Sequence, residues 1–89
     1  MHPFEEIWRS LKTHPSKAQI LLELDGEEGT FEKALEVLQD KGGQQIKHKF
    51  ISEGNFSFVL FYLPGDDLRG AALRLTQAGF ISLKGMDSR

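Results

Sequence analysis

His2, His14 and His48 are the residues with which this chain could most readily do acid–base or metal chemistry. They fall at the N-terminus, in a linker and in a strand pattern, and no two of them have metal-ligand spacing. Ser52, Ser57 and Ser82 lie inside strand patterns with no base beside them, so no hydrolytic triad is expected. Cysteine is absent, which removes disulfides, thiolate metal sites and thiol nucleophiles, and points to a reducing, cytoplasmic setting. The acidic run Asp25-Gly26-Glu27-Glu28 could offer oxygen ligands to calcium or magnesium but lacks EF-hand spacing. The chain therefore reads as a non-enzyme, with no catalytic residue, no metal site and no cofactor. What remains is binding. A loop that ends at a helix N-terminus presents free N–H groups and the positive end of the helix dipole. In the loop over residues 25–30, Thr30 could add a hydroxyl and Gly29 would let a ligand approach the backbone. Asp25, Glu27 and Glu28 would repel an anion, so a ligand with an amino group is favoured. The same residues also read as a turn and a helix cap with no ligand at all.

The elements that would position this loop follow from periodicity. Phe4, Ile7, Trp8 and Leu11 keep the i, i+3, i+4, i+7 spacing of one helical face, and Pro3 suits a first turn. Residues 1–16 are read as this amphipathic helix and its linker, and residues 17–89 as the domain proper. A strand over Lys17–Asp25 precedes a helix over Phe31–Lys41, with Thr30 as its N-cap and Gly42 or Gly43 ending it. A half-exposed strand over Gln44–Ser52, a turn at Glu53-Gly54-Asn55 and a very apolar strand over Phe56–Leu63 follow. A helix over Asp67–Ala78 and a last strand over Phe80–Gly85 complete the order. Two strand–helix–strand halves echo each other, in "ALEVLQDKG" and "ALRLTQAG". The expected fold is α+β: a ferredoxin-like βαββαβ two-layer sandwich with an additional N-terminal amphipathic helix.

Both crossover helices then lie on one face of the sheet and leave the other bare. The third strand has two apolar rows, one through Phe56, Phe58, Leu60 and Tyr62, the other through Val59, Phe61 and Leu63. A one-residue slip exchanges them, so the sequence leaves open which row meets the helices. Something must cover the remaining row: the N-terminal helix in cis, the same helix on a partner, or a ligand such as RNA. A helix of ten residues spans about 15 Å, short for four strands, so a homodimer is expected to bury the rest. The interface residues on this reading are Phe4, Ile7, Trp8, Leu11, Phe58 and Phe61.

From Ala18 to Leu83 the chain resembles an ACT-type domain, and "LDGEEGTFEKALEVLQDKGGQQI" carries the likeness. The second half, "GNFSFVLFYLPGDDLRGAALRLTQAGFISLKG", is similar to the NIL domain, an ACT relative. The resemblance implies a regulatory module that binds an amino acid or a related metabolite, usually as a dimer. It makes Asp25 the loop acid, Gly29 the loop glycine and Phe31 the first apolar residue of the helix, with Thr30 between them as ligand-binding residues. Glu28 stands where the family carries a proline. The effector of such a sensor would be a separate protein that the sequence does not identify.

Composition bounds the alternatives. Net charge is −2, with 11 Lys and Arg against 13 Asp and Glu, without the basic excess that phosphate backbones demand. Phe56-Ser57-Phe58-Val59-Leu60-Phe61 approaches the aromatic core of an RNA-recognition strand, but the first strand has no aromatic platform and nucleic acid is disfavoured. No apolar run approaches the roughly 20 residues needed to span a bilayer, and the acidic N-terminus is no signal peptide, so membrane insertion is not expected. The other reading is an adaptor that docks on proteins through the open sheet face and the N-terminal helix.

Overall fold

A computed structural model describes residues 2–39, 46–64 and 67–88. It is a small α+β fold: three helices and one four-stranded antiparallel sheet, in the order α1 (Phe4–Ser10), β1 (Ala18–Leu24), α2 (Thr30–Gln39), β2 (Lys47–Glu53), β3 (Phe56–Leu63), α3 (Leu68–Gln77) and β4 (Leu83–Met86). The strands lie in the order β2-β3-β1-β4, an arrangement compatible with a ferredoxin-like sheet. Among the described residues no helix is long and apolar enough to cross a membrane.

Register settles which row of β3 faces which layer. Ile20 pairs with Phe61 and Leu22 with Val59, and these four side chains form one cluster with Ala34 and Leu38 of α2 and Ala71 and Leu75 of α3. Leu21 pairs with Leu60, and this pair joins Phe58 and Ile7 in a second cluster on the opposite face. Phe4, Trp8, Leu11, Ile51, Phe56 and Tyr62 pack around it. The central strands are thus buried on both sides, which explains why β1 reads as continuous apolar sequence rather than as alternation.

Helix α1 is the third layer, laid over the sheet face that α2 and α3 leave open. It is shorter than its apolar periodicity predicts, because Leu11 is already extended. Two polar contacts fix its N-terminal end. Glu5 accepts a 2.8 Å hydrogen bond from Lys84 of β4, and His2 Nε2 lies 2.9 Å from Glu23 Oε1 of β1. His2 Nδ1 accepts the N–H of Phe4, so the imidazole proton sits on Nε2 and is donated to Glu23.

The last strand begins three residues later than expected. Phe80 N–H bonds to Leu75 O and Gly79 N–H to Thr76 O, a Schellman closure with Gly79 at φ +104. The cap of α3 therefore claims Phe80, and sheet pairing starts only at Leu83. The expectation that Gly42 or Gly43 ends α2 lies outside the described residues.

Candidate functional site

The residues singled out for ligand binding divide between two places. Asp25, Gly29 and Thr30 line a concavity of about 260 Å³ with Lys33, Gly79 and Phe80. Phe31 is not among them. Its ring packs on His48 at 4.8 Å, Phe50 at 4.9 Å and Phe61 at 5.9 Å between centroids, on the far side of the helix start.

Polar atoms of Asp25, Glu27 and Thr30 are engaged with one another. Asp25 Oδ1 accepts the N–H of Glu27 at 2.9 Å and lies 2.7 Å from the Thr30 hydroxyl, which is also 2.8 Å from Glu27 O. One hydroxyl proton serves these two acceptors in turn. Gly29 has φ +89, and a Cβ built there would meet nothing within 4 Å, so its role is conformational rather than to admit a neighbour. The Glu27 N–H and the Thr30 hydroxyl together hold the Asp25 carboxyl below the usual aspartate range. Because the folded value is depressed, this stabilisation is present above the ordinary aspartate pKa and is lost as pH falls through the lowered one. Thr30→Ala should therefore move the Asp25 titration, followed by carboxyl NMR, back toward the ordinary value. An unchanged titration would show that the hydroxyl does not donate to Asp25.

The six residues read as an interface are placed mostly inside the chain. Ile7 is buried between α1 and the sheet, Phe58 is fully buried beneath α1, and Phe61 is fully buried on the opposite face under α2 and α3. Phe4, Trp8 and Leu11 are half-buried around Ile7.

A larger concavity, which sequence patterns did not reveal, opens where β2 begins. It measures about 720 Å³ and is lined by His14, Lys17, Leu35, Gln39, Ile46, Lys47, His48 and Tyr62. That volume is within the range of small-molecule sites. The linker supplies His14 and Lys17, α2 supplies Leu35 and Gln39, the start of the edge strand β2 supplies Ile46, Lys47 and His48, and the interior strand β3 supplies Tyr62. Hydrogen bonding sets both imidazoles. His14 Nδ1 accepts the backbone N–H groups of Ser16 and Lys17 at 3.0 and 3.1 Å, so its proton is on Nε2. His48 Nδ1 lies 3.3 Å from Ile46 O, which can only accept, so its proton is on Nδ1. Two lysines, two histidines and Tyr62 thus line one site with no carboxylate among its described residues. Leu35 and Ile46 supply an apolar wall. Sequence separation hid this site, because its members come from four segments brought together only by the fold.

No family model matches the chain, and neither the curated proteins nor the solved structures contain a match.

Proposed function

We propose that the chain is a ferredoxin-like βαββαβ domain of ACT type with an N-terminal helical layer, acting as a non-catalytic regulatory module. It binds an amino acid or a similar small metabolite and works as a homodimer. The observation that carries the ligand reading is the basic concavity at His14, Lys17, Lys47, His48 and Tyr62, with an apolar wall at Leu35 and Ile46. Cations there suit a carboxylate, and the wall suits an apolar side chain. The Asp25–Thr30 loop turns the Thr30 hydroxyl and the Glu27 N–H inward and is acidic, so on this reading it shapes the helix start rather than holding the carboxylate.

A thermal-shift panel of amino acids tests the proposal. A ligand at about 100 times its Kd stabilises the native state by about 2.7 kcal/mol, which raises Tm by roughly 10 °C or more in a domain of this size. Lys17→Met should weaken the binding by about 10–100-fold, the value of a charge-assisted hydrogen bond. Thr30→Ala should leave it unchanged. Binding abolished by Thr30→Ala and untouched by Lys17→Met would move the site to the loop. A flat response across the panel would favour the adaptor reading, for which Phe50, 56% exposed on the edge strand, is the first residue to probe.

A further inference from the structure

The basic concavity continues into a row of aromatic rings along the edge strand. His48 belongs to both: it lines the concavity and packs against Phe31 and Phe50. His48 and Phe50 pair with Phe61 and Val59 of the cluster beneath α2 and α3, so both side chains project onto the helix face of the sheet. There the Phe31 ring lies 4.8 Å from the His48 ring and 4.9 Å from the Phe50 ring, and His48 and Phe50 are 5.2 Å apart. Phe31 is stacked in turn on the fully buried Phe61, with ring planes 5° apart, which ties the row to the core. Phe50 is its outer member and is 56% exposed. Leu73 and Ile81 are exposed as well, but neither is aromatic and neither lines the basic concavity.

Helix α2 runs beside this arrangement, from Phe31 at the aromatic row to Leu35 and Gln39 at the concavity. The acids Glu27 and Glu28 precede the helix, whereas Lys17 and Lys47 line the concavity with no carboxylate among its described residues. The two ends therefore differ in chemistry: flat rings at one, cations at the other. We propose that the site takes a free nucleoside phosphate, with the base on Phe50 and His48 and the phosphates in the concavity at Lys17 and Lys47. Lys47 and Phe50 are three residues apart on an extended strand, about 10 Å, comparable to the reach from the base to the β-phosphate of a nucleoside diphosphate. An amino acid is shorter, and it offers one carboxylate to two lysines.

Stacking on an aromatic side chain tolerates any base, so no strong preference among bases is expected. A nucleic-acid strand would need cations tracking its backbone. Here the cations converge on one concavity and the net charge is −2, which favours a free nucleotide. The proposal deepens the ligand reading above, on which it rests, by naming the ligand class of the same concavity.

Isothermal titration at low salt with ADP, pyrophosphate, adenosine and a panel of amino acids tests it. ADP should bind about tenfold or more tightly than either pyrophosphate or adenosine, because only ADP engages both ends. K47M should weaken ADP and pyrophosphate alike by about tenfold or more, the value of a charge-assisted hydrogen bond. F50A should weaken ADP by about 5–100-fold, the range for a base stacked on an aromatic ring, and leave pyrophosphate unchanged. F50W should keep ADP binding. Lys47 and Phe50 are both exposed, so the fold should survive each change, which an unaltered Tm confirms.

No binding of ADP at millimolar concentration overturns the proposal. So does ADP binding that F50A leaves unchanged, which would reduce the site to an anion site. A single-stranded oligonucleotide that binds where ADP does not would overturn it in favour of a strand. Amino acids that bind while ADP fails would overturn this inference and leave the amino-acid reading standing. ADP binding lost in K47M and F50A, with no response to any amino acid, would do the reverse, and silence across the whole panel would remove both.

Discussion

Phe61→Ala is expected to lower stability by about 3–5 kcal/mol, and Phe58→Ala by a similar amount. Both side chains are fully buried, Phe61 against α2 and α3 and Phe58 against α1. A chain of this length has roughly 4–13 kcal/mol in total, so either change removes a large share of it. Urea unfolding at fixed protein concentration measures both. Ile81→Ala, at a side chain 87% exposed, supplies the control and should change stability by no more than about 0.5 kcal/mol. The informative comparison is between the two phenylalanines. On a sheet with one bare face, one of the two rows of β3 would be solvent-facing, and Phe58→Ala would be nearly neutral. Equal, large losses would demonstrate that the protein has two cores, one on each side of β1 and β3.

Removing residues 1–12 is expected to have the other large effect. It would uncover Leu21, Phe58 and Leu60 together with Ile51, Phe56 and Tyr62, a contiguous apolar patch of the kind that drives association. Burial of Ile7 alone contributes about 1.5–3 kcal/mol, and the rims of Phe4, Trp8 and Leu11 add to it. The truncated protein should melt well below the full chain, bind an apolar dye and self-associate. A truncation that keeps its Tm and stays dispersed would mean that α1 does not hold the sheet face. With α1 covering the face in cis, that face no longer argues for a dimer.

Much of the architecture was legible as sequence. The span Phe56–Leu63 was readable to the residue because its apolar run is bounded by turn residues on both sides. Asp67 ahead of Leu68, and Leu68, Ala71, Ala72 and Leu75 at helical spacing, set α3 and its inward face, and the Asp67 side chain does accept the Gly70 N–H. The spacing of Phe4, Ile7, Trp8 and Leu11 announced an amphipathic helix with something to cover. Local rules sufficed there because propensity, capping and periodicity act within a few residues.

Tertiary structure alone decided the rest. Which row of β3 meets α2 and α3 depends on pairing with β1, since a period of two gives both rows the same pattern and only register separates them. The chain has a linker short enough to let α1 fold back or reach a partner, and packing on Leu21, Phe58 and Leu60 selects the first. Phe31 looked like part of the loop at Asp25, but the turn of the helix carries it around to His48 and Phe50. The basic concavity was invisible for the same reason: His14, Leu35, Lys47 and Tyr62 are far apart along the chain. Sequence determines which side chains exist and which face of each element they occupy, whereas long-range pairing determines which faces meet.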